Sequence, residues 1–211
     1  MTHRTSWRTA LVGLALLAGC DRELAPTTAL PGEAMTVATP TPRTDLIRRG
    51  DAPLTLASTP LDVGAALPDV SLVDTAMAPL SLAALRGQVT VLSVVPSIDT
   101  RVCEVQTHRV SDLMPSLPPG VIVMTVSRDL PFAQRRFAEE ASTQTRMASD
   151  YKGGAFGRAM GLDVVETGLL ARSVWVIDAA GKVAYRELVA DQSTEPDYDA
   201  LAAAVARAAA S

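Results

Sequence analysis

A cysteine acts as a nucleophile through its thiolate, so the surroundings of the two cysteines in this chain, Cys20 and Cys103, decide its chemistry. Cys103 lies eight residues beyond the β-branched run 89–95 (VTVLSVV), close to the start of a helical pattern at residues 101–113. That placement puts the sulfur in the first turn of a helix, where unpaired N–H groups and the positive end of the helix dipole favour an anion. A free thiol is only slightly ionised at neutral pH, so stabilising the anion multiplies the nucleophile. A lone cysteine is also a common small core residue, and by itself Cys103 leaves both readings open. Thr100 stands at the expected N-cap, and Pro96 at the turn out of the strand. His108, five residues along the helix, points away from Cys103 and is read as a surface or core histidine, not as a base for the thiol. Two cysteines exclude a disulfide-rich scaffold and a multi-cysteine zinc site. No His, Asp or Glu cluster has metal-ligand spacing, no glycine-rich phosphate loop occurs, and Lys152-Gly153-Gly154 reads as a turn. Neither a metal nor an organic cofactor is expected.

The elements that must carry Cys103 follow from the patterning. The chain has 211 residues, 48% hydrophobic and 20% charged, enough to bury the core of one domain with an appendage. Residues 52–61 and 68–72 read as short strands or a hairpin, and 89–95 and 121–126 (VIVMTV) as buried strands. Between the last two, the helix at 101–113 carries Val102, Val105, His108 or Arg109, and Leu113 roughly on one side. Strand, helix and strand at this spacing form a βαβ unit. A helix over 131–142 opens with Pro131, a β-hairpin spans 173–189 around Ala180-Gly181-Lys182, and an Ala-rich helix over 196–210 closes the chain. These are the ingredients of an α/β, thioredoxin-like fold: a central mixed β-sheet flanked by helices, with an N-terminal β-hairpin extension.

The N-terminus accounts for Cys20. Arg4 and Arg8 precede the apolar run 10–19 (ALVGLALLAG), which has the layout of a secretory signal and is too short to span a membrane. Leu17-Ala18-Gly19-Cys20 resembles the bacterial lipobox, whose cysteine becomes lipid-modified and N-terminal after cleavage. The alternative is an ordinary cleaved signal with a chance cysteine. Two or more acyl chains hold a protein stably on a membrane, and Asp21 resembles a signal for retention at the inner membrane, which would leave the domain in the periplasm. Losing Arg4 and Arg8 makes the net charge of −4 more negative by two, so the anchor would be lipid, and neither polybasic membrane binding nor nucleic acid is favoured. Residues 21–45 hold four prolines and six threonines without periodicity and read as a tether spanning about 30 Å. The expected organisation is a signal at 1–19, a lipid-anchored tether at 20–45 and one domain at 46–211.

The segment Pro96-Ser97-Ile98-Asp99-Thr100-Arg101-Val102-Cys103 carries the pattern P-x-x-x-T-x-x-C, and the chain resembles the peroxiredoxin family, in its bacterial thiol peroxidase form. Further stretches that match are 127–137 (SRDLPFAQRRF), 170–174 (LARSV) and 194–198 (TEPDY), so the resemblance runs over residues 46–210. It implies that Cys103 attacks the terminal peroxide oxygen and becomes a sulfenic acid, with Thr100 orienting the thiolate and the peroxide. It implies that Pro96 shields the pocket from water, and that Arg172 stabilises the thiolate and the charge developing on the O–O bond. The implied partners are a hydroperoxide, a thioredoxin-like protein or low-molecular-weight thiol as reductant, and a second copy in a homodimer.

One position departs from the family. The resolving cysteine expected directly after Arg136-Phe137 is replaced by Ala138. With Cys20 lipidated, no second free thiol remains, and an external thiol must reduce the sulfenic acid, which is a one-cysteine cycle. The expected activity is reduction of hydrogen peroxide and of alkyl or lipid hydroperoxides. The competing reading is a tethered redox sensor or interaction module with little turnover, against which Thr100 and Arg172 argue.

Overall fold

The computed structural model describes residues 40–211. The expected signal, Cys20 and all but the last residues of the expected tether lie outside them. Two strands open the described part, β1 (Arg43–Arg49) and β2 (Ala52–Leu56), paired as an antiparallel hairpin. Next come β3 (Ser71–Asp74), β4 (Pro79–Ser81), β5 (Thr90–Val94), α1 (Arg101–Leu113) and β6 (Ile122–Ser127). After these run α2 (Pro131–Glu140), β7 (Arg146–Ser149), α3 (Ala155–Met160), β8 (Ser173–Ile177), β9 (Val183–Leu188) and α4 (Tyr198–Ala209).

Seven strands form one mixed sheet in the order β4-β3-β7-β6-β5-β8-β9. The three central strands β5, β6 and β7 are parallel, and the flanking pairs are antiparallel. Strand β5 is buried at every residue because both of its faces are covered, which is why it reads as an unbroken apolar and β-branched run. Its period of two sorts side chains between two cores. Leu92 and Val94 point into one with Met124, Trp175, Phe156 of α3, and Ile47, Leu54 and Leu56 of the hairpin. Val91 points into the other with Val110 of α1 and Leu201 and Val205 of α4. The expected α/β, thioredoxin-like architecture is thus present, and the βαβ unit that carries Cys103 lies at its centre.

Three details differ from the sequence reading. Strand β1 starts at Arg43, inside the expected tether, because buried Ile47 and half-buried Leu46 anchor a segment that is otherwise polar. Strand β2 ends at Leu56, and the expected strand at 68–72 is instead β3 at Ser71–Asp74. Helix α1 turns a different side inward: Cys103, Gln106, Thr107, Val110 and Ser111 are buried, while Val102, Val105 and Leu113 are only half-buried. Apolar periodicity misplaced this face because its polar groups are satisfied inside. Gln106 donates to Ser93 Oγ (2.9 Å), Thr107 Oγ1 to the Cys103 carbonyl (2.9 Å), and Ser111 Oγ accepts from Gln144 N–H (2.9 Å).

Candidate active site

Residues 95–100 connect β5 to α1, and their shape is set from outside by Asp129, just beyond β6. Its carboxylate accepts from Ser97 Oγ (2.7 Å) and from Ile98 N–H (2.8 Å), so one side chain holds both the turn and its backbone. Asp129 is held in turn by its own N–H on Ser127 Oγ (3.3 Å) and by Ser149 Oγ donating to its carbonyl. The loop therefore delivers α1 in one register, with Thr100 at the N-cap and Cys103 in the first turn.

Thr100 occupies the N-cap position but does not cap: its hydroxyl makes no hydrogen bond to a helix N–H. It lies 2.9 Å from Cys103 Sγ and 3.2 Å from the Ser97 carbonyl. A hydroxyl has one proton, so it serves either the sulfur or the carbonyl. Donation to sulfur matches a thiolate, whereas donation to Ser97 leaves a lone pair for an S–H.

Arg172, immediately before β8, completes the surroundings of the sulfur. Its Nη2 donates to Cys103 Sγ (3.2 Å), Nη1 to Gln106 Oε1 (2.7 Å) and Nε to the Gln192 carbonyl (3.0 Å). It is 2% exposed, and among the described residues no carboxylate forms an ion pair with it. The charge of this buried guanidinium therefore faces neutral carbonyl oxygens and the fully buried Cys103 Sγ. Arg172, Gln106 and Ser93 form a hydrogen-bonded chain from the sulfur into the central strand.

Pro96 is buried and, with Val102 and Leu169, forms the apolar wall of a pocket of about 270 Å³. Thr100 and Arg172 line the same pocket and both touch the sulfur, so a small ligand there meets the two polar groups that hold Sγ. The structure thus brings Pro96, Thr100, Cys103 and Arg172 together. His108 is half-buried with its ring centroid 6.5 Å from that of Phe137, and Thr100 and Arg172 are the side chains bonded to the Cys103 sulfur. Ala138 is half-buried on α2 and packs against the small cluster of Val95, Ile98, Cys103 and Met147. No group of His, Cys, Asp and Glu suited to a metal occurs among the described residues.

Sequence reasoning missed Gln106, Gln192 and Asp129. Gln106 gave a usable signal, being three residues from Cys103 on the same helix face. Asp129 lay within a matched stretch without an assigned task, and nothing local marks Gln192.

Residues 62–202 match the redoxin family, about two-thirds of the chain. This chain is a redoxin. Among its relatives, the thiol peroxidase of Bacillus subtilis is 40% identical over 148 residues, covering 70% of this redoxin and 88% of that protein. The thiol peroxidase of Streptococcus gordonii is 44% identical over 154 residues, covering 72% and 94%. Of solved structures, a peroxiredoxin-like protein from Aquifex aeolicus superimposes with a TM-score of 0.72 at 35% identity, over 76% of this redoxin and 95% of that chain. The thiol peroxidase from Chromobacterium violaceum has the same fold, with a TM-score of 0.68 at 20% identity, over 76% and 95%. This redoxin is a peroxidase of the peroxiredoxin type, related to thiol peroxidases.

Proposed function

We propose that this redoxin reduces hydroperoxides through Cys103 in a one-cysteine cycle. The observation that carries the reading is the convergence of Thr100 Oγ1 and Arg172 Nη2 on one buried sulfur. The Cys103 thiolate attacks the terminal oxygen of ROOH, an S–O bond forms as the O–O bond breaks, and the alkoxide leaves as ROH after taking up one proton. Sulfur is oxidised to the sulfenic acid while the peroxide is reduced. In this step the charge of Arg172, held beside the sulfur, would stabilise the negative charge that develops on the breaking O–O bond, and the Thr100 hydroxyl would hand a proton between sulfur and peroxide oxygen. A thiol R′SH then condenses with the sulfenic acid, releasing water and leaving a mixed disulfide. A second R′SH displaces Cys103 and leaves R′SSR′.

The one-cysteine form is supported by Ala138 at the position of the resolving cysteine. Reduction of alkyl or lipid hydroperoxides beside hydrogen peroxide is supported by the wall of Pro96, Val102 and Leu169. A lipid anchor at Cys20, residence at the periplasmic face of the inner membrane, a thioredoxin-like or small-thiol reductant and a homodimer complete the reading. It is tested by stopped-flow oxidation of the chain by hydrogen peroxide and cumene hydroperoxide beside Cys103→Ser, with intact masses after one equivalent. The expected result is a rate several orders above that of a free thiol, lost in Cys103→Ser, with a gain of one oxygen or a mixed disulfide. A rate no faster than a free thiol removes the peroxidase, and an internal disulfide removes the one-cysteine cycle.

A further inference from the structure

The peroxidase reading assigns Arg172 its task but leaves open what aims it. An arginine side chain has four rotatable bonds, and a charge aimed at a transition state is effective only if it is already in place. In this fold the aiming falls on a residue twenty positions away. Gln192 is 4% exposed and lies in the segment that follows β9. Its side-chain Oε1 accepts from the Arg172 backbone N–H, and its main-chain carbonyl accepts from Arg172 Nε at 3.0 Å. One residue thus holds Arg172 at both the root and the head of its side chain, and with Nη1 on Gln106, Nη2 is left for the sulfur.

Gln192 is itself clamped. Its Nε2 donates to the Val189 carbonyl (2.6 Å), and its backbone N–H to the Arg48 carbonyl of β1 (2.8 Å). Arg48 returns its own N–H to the Ala190 carbonyl (2.8 Å) and pairs its guanidinium with Asp191 (2.9 Å). The N-terminal hairpin thereby closes over residues 190–192. Gln192 also lines the pocket shared by Thr100 and Arg172, so it stands at the site and not merely beneath it.

We propose that Gln192 is a positioning residue for peroxide reduction: fixed by β1, it holds Arg172 so that Nη2 meets the reacting sulfur and the bond it attacks. The proposal rests on the peroxidase reading and adds a second requirement to it.

The test uses the full chain and Gln192→Met, which keeps the length of the side chain and the main-chain carbonyl but removes the Oε1 on the Arg172 amide and the Nε2 that ties the segment to Val189. Two rates are measured across pH and compared at their alkaline plateaus, where the sulfur is thiolate in every variant: oxidation of Cys103 by hydrogen peroxide and its alkylation by iodoacetamide, which has no O–O bond to polarise. The expected result is a peroxide rate lower by about ten- to a hundredfold, the scale of a misplaced catalytic group, with alkylation changed less than about threefold. In an Arg172→Met background the same substitution is expected to change the peroxide rate no further. Gln192→Ala supplies a second variant should the methionine prevent folding, since pocket water can then satisfy the Arg172 amide without fixing the side chain. It is expected to show the same selective loss. Equal loss of both rates, additive effects of Gln192 and Arg172, or an unchanged peroxide rate overturns the proposal. A wild-type rate no faster than a free thiol overturns the peroxidase reading instead, so the two failures are distinct.

Discussion

Thr100 stands where a residue has an ordinary structural duty and does not perform it. A threonine at an N-cap usually gives its oxygen to a helix N–H, yet here that oxygen faces the sulfur of Cys103. Removing the hydroxyl should therefore cost rate more than stability. Thr100→Val is expected to lower peroxide reactivity about a hundredfold, as loss of one aimed donor does, while Thr100→Ser stays near wild type. Stopped-flow oxidation with thermal melts of the same proteins checks both halves, and a melt that falls in step with the rate would return Thr100 to a capping role. The sequence revealed Pro96, Thr100 and Cys103 because they share one short segment, and Arg172 through its own matched stretch. It concealed Gln192, whose task exists only once Arg172, 20 positions away, is brought to it. Gln106 left one signal, its place on the helix face of Cys103, but its partner Arg172 lies 66 positions away.

Helix α1 and the β1–β2 hairpin are the elements whose roles apolar patterning misjudged. The helix buries a face rich in Gln, Thr and Ser, so a count of apolar residues pointed to the half-buried side. The hairpin begins with a strand that is mostly charged, and its place in the fold comes from the burial of Ile47, Leu54 and Leu56 and from backbone contacts with Ala190 and Gln192 that no local pattern announces. Asp191 in that contact has its carboxyl held down to about 2, first by hydrogen bonds from Ser193, with Gly50 N–H and the charge of Arg48 adding to the effect. A carboxyl lowered on folding stabilises the fold above its ordinary value of 3.8, and that contribution is lost as pH falls toward 2. The stability difference between wild type and Asp191→Asn should therefore be constant from pH 7 to about 5 and smaller at pH 3, as denaturant titrations at each pH would show. A difference that is the same at pH 3 and pH 7 would mean that Asp191 does not act through its charge. Helix α2 carries the other prediction for an element. Ala138 packs against the cluster that holds Cys103, so Ala138→Cys is expected to convert peroxide treatment from addition of oxygen to formation of an internal disulfide. Intact mass distinguishes the two products.

The molecule as a whole separates support from chemistry. Its sheet is packed on one face by α3 and the hairpin and on the other by α1 and α4, and the reacting groups lie at the end of the central strand between these cores. A deep truncation such as Leu92→Ala, in the first core, is expected to cost about 2–5 kcal/mol of stability while leaving the peroxide rate of the folded protein near wild type. Denaturant melts and stopped-flow traces measure the two independently, and a tenfold loss of rate in the folded variant would contradict the separation. This architecture could be read from the sequence because buried parallel strands leave long β-branched runs; the short strands β4 and β7 leave too few residues for a pattern. The complete burial of Cys103 has a consequence for the timing of turnover. If the reductant is a protein thiol, the first turn of α1 would have to open before a sulfur this deeply buried could be recycled. Oxidation wants the site shut and recovery wants it open. Mild urea should therefore slow the first half of the cycle and quicken the second, and the interval during which the oxidised sulfur waits behind a closed door sets how much peroxide the enzyme survives.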